Sequence, residues 1–155
     1  MATHLVMGDP HCTPKASNER FLWAGKFAHD LRPNTVICMG DFASMDSLSS
    51  YDKGKKSFEG RRYKKDIDHA HDALEKFNKG LDGRRLRKIM LLGNHEDRID
   101  RTVDEIPELE GTISTDDFKF ESFGWEVYEY QKPVVVDGVY SVSYTHLTLP
   151  TILLV

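Results

Sequence analysis

Lys88-Ile89-Met90-Leu91-Leu92-Gly93-Asn94-His95-Glu96 decides the fold. An apolar run of strand length stops at a glycine, and an amide, an imidazole and a carboxylate follow at once. A continuous apolar run, as opposed to an alternating one, is what a strand buried on both faces requires. Two earlier stretches repeat the pattern. His4-Leu5-Val6-Met7 runs into Gly8-Asp9-Pro10-His11, and Thr35-Val36-Ile37-Cys38-Met39 runs into Gly40-Asp41. Each reads as a buried strand with metal-binding or proton-carrying residues at its C-terminal end.

The segments between these strands carry helical spacing. Ser17 to Leu31 places Phe21, Ala24, Ala28 and Leu31 on one face, with Ser17 as the expected N-cap, Glu19 in the first turn and Pro33 as the stop. A Ser-, Gly- and Lys-rich connection from Ser44 to about Gly60 leads to a second helix with Ile67, Ala70, Leu74, Phe77 and Leu81 at steps of three and four. Strand, helix, strand, helix, strand predicts an α/β sheet of parallel order with right-handed connections. Beyond lie a polar segment, Asp100 to Asp117, and a β-rich stretch. There Trp125 to Tyr130 alternates, and Pro133 to Val136 meets Val139 to Tyr140 across an Asp137-Gly138 hairpin turn.

Composition sets the outer bounds. A chain of 155 residues, 39% hydrophobic and 30% charged, fits one globular domain and not a disordered segment. A formal net charge of −4 gives no overall attraction to nucleic acid or anionic membrane, so any basic site is local. Cys12 and Cys38 form no CxxC pair and read as small buried hydrophobes. The N-terminus lacks a basic start followed by a long apolar stretch, and no run approaches the roughly 20 apolar residues of a membrane span. A soluble, cytoplasmic protein without membrane contact is the expectation.

In a parallel sheet the three strand ends share one edge, the place where open α/β sheets bind ligands. Asp9 and His11 are two apart, so an extended segment would point both to one side. With Asp41, Asn94 and His95 they make a mixed oxygen and nitrogen set. Such a set suits Mn, Fe, Zn or Ni better than calcium or a thiolate-bound structural zinc. A carboxylate such as Asp41 can bridge two cations about 3.5–4 Å apart, and such a pair activates water and neutralises charge on a phosphoryl group. Asn94 offers a neutral oxygen beside an anionic substrate, and His95 remains to protonate a leaving oxygen.

Gly8-Asp9-Pro10-His11, Gly40-Asp41 and Gly93-Asn94-His95-Glu96 resemble the first three motifs of the calcineurin-like metallophosphoesterases, a likeness running from Thr3 to about Tyr140. Ser47-Leu48-Ser49-Ser50-Tyr51-Asp52-Lys53-Gly54 with Phe58-Glu59-Gly60-Arg61-Arg62-Tyr63 looks like a phage-encoded branch of that family. The resemblance implies a four-layer α/β/β/α sandwich, of which this chain holds the N-terminal part: the first sheet and the start of the second. It implies Asp9 and His11 on one metal, Asp41 bridging, Asn94 on the second metal and His95 as the acid. Most members have another acidic residue soon after Gly-Asp and a glycine after the first His. Here Phe42-Ala43-Ser44-Met45-Asp46 and Cys12 occupy those places.

The family's remaining ligands are later histidines, whereas only His146 follows His95. Val142 to Thr151 is what translation of a common transposase-based sequencing adapter yields. Residues 1–141 are therefore expected to be the native N-terminal part of the domain and 142–155 adapter read-through, leaving the chain inactive as it stands. The other reading makes His146 a fourth ligand on a native strand.

The remaining polar residues have plainer readings. His4, His29, His69 and His71 read as surface or structural, and Trp125, Tyr128 and Tyr130 as packing. Arg98 and Arg101 either hold a phosphate, with Asn94 and Arg98 as the substrate contacts, or pair with Glu96, Asp97 or Asp100. Lys53, Lys55, Lys56, Arg61, Arg62, Lys64 and Lys65 are either a solvated loop and helix face or a flap that attracts a phosphorylated substrate. The expected activity is hydrolysis of phosphate mono- or diesters by water activated on two divalent ions, acting on a phosphorylated small molecule or a nucleic-acid end. The competing reading is a nucleic-acid-binding protein that uses the 53–65 cluster, with a vestigial metal site.

Overall fold

The three apolar runs become three neighbouring parallel strands: β1 (His4–Met7), β2 (Thr35–Cys38) and β3 (Arg87–Leu91). Leu5 lies opposite Val36, and Ile37 opposite Ile89. The structure is a computed structural model and describes residues 2–143. Trp125 to Tyr130, which reads as β without an evident partner, supplies β4 (Glu126–Tyr128), parallel to β3 at the edge of the same sheet.

Helices α1 (Glu19–Leu31) and α2 (Tyr63–Gly80) pack on each other and on one face of the sheet. Strand side chains alternate, so Val36, Cys38 and Met90 meet the helices' Phe21, Ala28, Ala70, Leu74 and Phe77. Full burial of a Leu or Phe such as Leu74 or Phe77 is worth about 1.5–3 kcal/mol each. Ile37, Ile89 and Leu91 face the other way, onto Val134 and Val136. Those valines belong to the expected hairpin, β5 (Val134–Val136) and β6 (Val139–Ser141). The helices thus pack on one side of the parallel sheet, and the hairpin valines pack on its other side. Sequential strand order with both helices on one face is what crossovers of a single hand produce.

The helices approach backbone to backbone. A Cβ on Gly25 would stand 2.2 Å from the Phe77 carbonyl oxygen, and one on Gly80 2.4 Å from that of Leu22.

Three local expectations change. Ser17 is not the N-cap residue, although its Oγ accepts the Glu19 N–H at 3.2 Å. Asn18 takes the cap position, but its buried amide donates across to the His69 carbonyl and Asp72 Oδ2, both at 2.9 Å, and so ties α1 to α2. Leu31 is exposed because α1 ends there, at left-handed Arg32; with Trp23 and Phe27 it lies outside the core. The polar segment also contains a helix, α3 (Arg98–Glu105), of which only Ile99 is buried. Among the described residues no helix is long and apolar enough to cross a membrane.

Candidate metal centre

Pairing between the β1 and β2 segments continues past the strand ends. The His11 N–H donates to the Asp41 carbonyl (2.9 Å), the Cys12 N–H to that of Phe42 (2.7 Å), and the Ser44 N–H to that of Cys12 (2.9 Å). Cys12 is buried in this short ladder, and burial pushes its thiol pKa far up, so it serves packing. The segment holding Asp9 and His11 is not extended as expected. Their φ angles are 38° and 47°, in the left-handed region, as are those of Gly40 (96°), Asp41 (48°) and Met45 (46°). The chain must bend sharply at each strand end while keeping His11 in register with Asp41. Asp and His are among the non-glycine types that enter this region most readily, and residues held there cost of order 1–3 kcal/mol each.

His11, Asp41 and His95 converge: each can offer one ligand atom, and these atoms lie within 4.8 Å of one another. The two imidazoles meet edge to face, with centroids 4.6 Å apart and planes at 71°. Asp9 is exposed on the neighbouring turn and stands outside this trio. Asn94 precedes His95 and lines an adjoining cavity. Asp41 Oδ1 accepts the His95 N–H at 2.9 Å, which leaves Oδ2 available. Only glycine fits at position 93, because a Cβ there would stand 2.2 Å from both the amide nitrogen and Oδ1 of Asp41.

His95 is oriented from two sides. Its Nδ1 is 2.8 Å from the Ser44 carbonyl, which can only accept, so Nδ1 carries the hydrogen. Nε2 then accepts from Arg98 at 3.3 Å, while Arg98 also donates to the Ser44 carbonyl at 2.9 Å. Burial pushes the imidazole pKa down; the Ser44 carbonyl opposes this and the Arg98 charge adds to it.

Glu96 carries a role that the sequence reading missed. It is fully buried, and its two oxygens accept the Ala43 N–H (2.9 Å) and the Gly93 N–H (2.8 Å). Burial pushes its carboxyl up to about 7, against the pull of those two hydrogen bonds. It joins the loop after β2 to the loop after β3. Its place in Gly-Asn-His-Glu was the only signal in the sequence, and that did not name the amides it would meet.

Of the two nearby arginines, Arg101 pairs with Asp97 at 3.0 Å and donates to the Asn94 carbonyl at 2.8 Å. Arg98 has no carboxylate partner among the described residues. The basic run does not form one patch. Lys55 and Arg61 pair with Asp52, and Lys64 pairs with Asp68. Arg61, Arg62 and Lys65 line a cavity with Lys15, whereas Lys53 lines the one beside Asn94.

The other histidines are bonded elsewhere: His4 to Asp137, His29 to Asp30, His69 to the Ala16 carbonyl and His71 to that of Asp117. Trp125 packs on Phe77 with centroids 5.5 Å apart. His146 lies outside the described residues.

A parallel sheet that gathers two imidazoles and a carboxylate at its C-terminal edge defines an α/β protein with a candidate divalent-metal centre. The chain belongs to the calcineurin-like phosphoesterase family, whose sequence model matches residues 3–151. No curated protein matches it. The family is one of metal-dependent phosphoester hydrolases, and the mixed α/β fold with its parallel sheet agrees with it.

Proposed function

We propose that the domain hydrolyses phosphate mono- or diesters with two divalent ions (Mn, Fe, Zn or Ni) held by Asp9, His11, Asp41 and Asn94, with His95 as proton donor. The observation that carries this is the convergence of His11, Asp41 and His95 within 4.8 Å at the ends of three parallel strands. The donor set fits such ions: imidazole nitrogen and carboxylate oxygen, with an amide oxygen adjacent and no thiolate. When bound, they supply Lewis-acid polarisation and lower the pKa of water.

The chain's own residues divide the rest of the work. Asp41 keeps one oxygen on the His95 amide, which fixes the third loop, and offers the other outward. Nε2 is the His95 atom that would hold the transferable proton, since Nδ1 is committed to Ser44; on taking that proton Nε2 gives up the hydrogen bond it accepts from Arg98. Arg98, without a carboxylate partner among the described residues, adds positive charge for the phosphoryl oxygens and with Asn94 binds substrate. The substrate is a phosphorylated small molecule or a nucleic-acid end.

Manganese binding, followed by the electron paramagnetic resonance of the free ion, tests the centre. Wild type is expected to bind and Asp41→Asn to lose at least tenfold in affinity. Equal binding by both, or none by wild type with Mn, Zn or Ni, would sink the assignment. In active preparations assayed on p-nitrophenyl phosphate and its diester, the same substitution is expected to cut metal-dependent turnover by orders of magnitude.

Residues 142–155 are proposed as adapter read-through after a native segment ending at Ser141, although the family match continues to residue 151. Sequencing genomic DNA beyond the Ser141 codon tests this. A frame continuing into further histidines supports it, and the same codons through Val155 refute it.

A further inference from the structure

Beside Asn94 lies a cavity of about 160 Å³, lined among others by Tyr51, Lys53, Asn94, Arg98, Arg101 and Glu105. It is smaller than the ~300–1,000 Å³ that encloses a whole drug-sized ligand, so it takes one end of a molecule. Three cations against one carboxylate make that end anionic. Arg98 and Lys53 have no acidic partner among the described residues. Arg101 is held in place by Asp97 and the Asn94 carbonyl. The remaining wall is aromatic: Tyr51, at 81% exposure, leaves most of its ring surface open to solvent.

Cations alone would serve inorganic phosphate or a sugar phosphate. An open ring set among them adds a demand for a flat partner, the combination with which proteins hold single nucleotides by stacking and charge. We infer that this cavity is a nucleotide subsite: the reacting phosphate lies at Asn94 and Arg98, the base stacks on Tyr51, and a neighbouring phosphate meets Lys53 and Arg101. The inference rests on the phosphoesterase reading for its reacting phosphate, but base selection is measured without turnover.

Calorimetric titration with dTMP, deoxyribose 5-phosphate, phosphotyrosine and the dinucleotide pTpT, in EDTA and again with manganese, provides the test. dTMP is expected to bind about tenfold tighter than deoxyribose 5-phosphate, the scale of one base stacked on an aromatic ring. Tyr51→Ala is expected to bring that ratio near one, and Tyr51→Phe to keep it. Tighter pTpT would identify the source of the nucleotide as a strand end, and equal affinity a free nucleotide; both support the subsite. The inference is overturned if the wild-type ratio is near one or binding is absent in both conditions. It is equally overturned if Tyr51→Ala leaves the ratio unchanged, or if phosphotyrosine binds as tightly as dTMP. Metal-dependent hydrolysis with no base preference would end this inference alone. Base preference without hydrolysis by a protein carrying the frame completed beyond Ser141 would instead leave the subsite and remove the enzymatic reading.

Discussion

Replacing Glu96 by glutamine separates its acceptor role from its volume. At about pH 8 and above, where Glu96 is ionised despite a carboxyl pushed up to about 7 by burial, one carboxylate satisfies two buried amides, those of Ala43 and Gly93, and the comparison is made there. Glutamine keeps the shape and one acceptor oxygen, but its NH2 then faces the second amide, donor against donor. A buried donor left without a partner costs about 1–3 kcal/mol. At about 2 kcal/mol, and with each kcal/mol worth about 2–4 °C in a domain of this size, the melting temperature should fall by about 4–8 °C. Glu96→Ala strands both amides and leaves a cavity, so it should cost more, about 3–6 kcal/mol. Urea unfolding followed by circular dichroism measures both, with an unchanged denaturant slope confirming that the unfolded state is not what moved. A second readout is manganese affinity, which should weaken because the loops bearing Asp41 and Asn94 lose their common anchor. A Glu96→Gln protein within about 0.5 kcal/mol of wild type would refute the reasoning, since that is the ordinary scatter of neutral substitutions.

Gly93→Ala is expected to abolish manganese binding and to destabilise by about 1–3 kcal/mol, because its Cβ would overlap Asp41; wild-type affinity in that variant would show that the loops yield freely. Cys12 and Cys38 are free and buried, and burial raises both thiol pKa values, so Ellman's reagent should label neither in the native protein and both in urea. Rapid native labelling would contradict that burial. Acid should destabilise through Asp72 and Glu126. Burial pushes Asp72 up, but the hydrogen bonds from Asn18 and Lys76 outweigh it and hold its carboxyl below the ordinary range; Arg87 holds Glu126 down. Carboxyls depressed in the fold stabilise above the ordinary values of about 3.9–4.3 and lose that contribution as pH falls through the folded pKa. Urea midpoints measured from pH 6 down to about 3 should therefore drop less steeply in Asp72→Asn than in wild type, and parallel profiles would exclude Asp72 from the effect.

The runs of β2 and β3 were legible because a strand buried on both faces leaves a continuous hydrophobic signature, and a glycine marks where it stops; β1 carries the same signature but is the sheet's edge strand and is not buried as expected, with Val6 at 55% exposure. What remained hidden depends on contacts between distant segments. Helix α3 has Ile99 and Val103 at helical spacing, but they are its only apolar residues and only Ile99 is buried, so the charged stretch Arg98 to Glu105 read as a polar segment. Lys88 opens an apolar run yet is buried, its amine donating to Asn78 Oδ1 and the Phe123 carbonyl, partners that no local pattern names. Glu96 shows the same limit at the site: its importance lies in two amides, one of them 53 residues away in sequence. The spacing of Asp9 and His11 suggested an extended strand end, because a two-residue interval fixes side-chain direction only if the backbone is straight, and here it is not.

That bent backbone governs how the site can be dissected. Asp9, His11 and Asp41 all sit at positive φ, a conformation that alanine tolerates poorly and asparagine accepts readily. An alanine scan here would remove a donor group and burden the main chain at the same time, and the two losses would arrive as one number. Asparagine at Asp9 or Asp41 removes the charge while leaving the turn content, so a difference between the asparagine and alanine variants of one position measures what the bend itself demands.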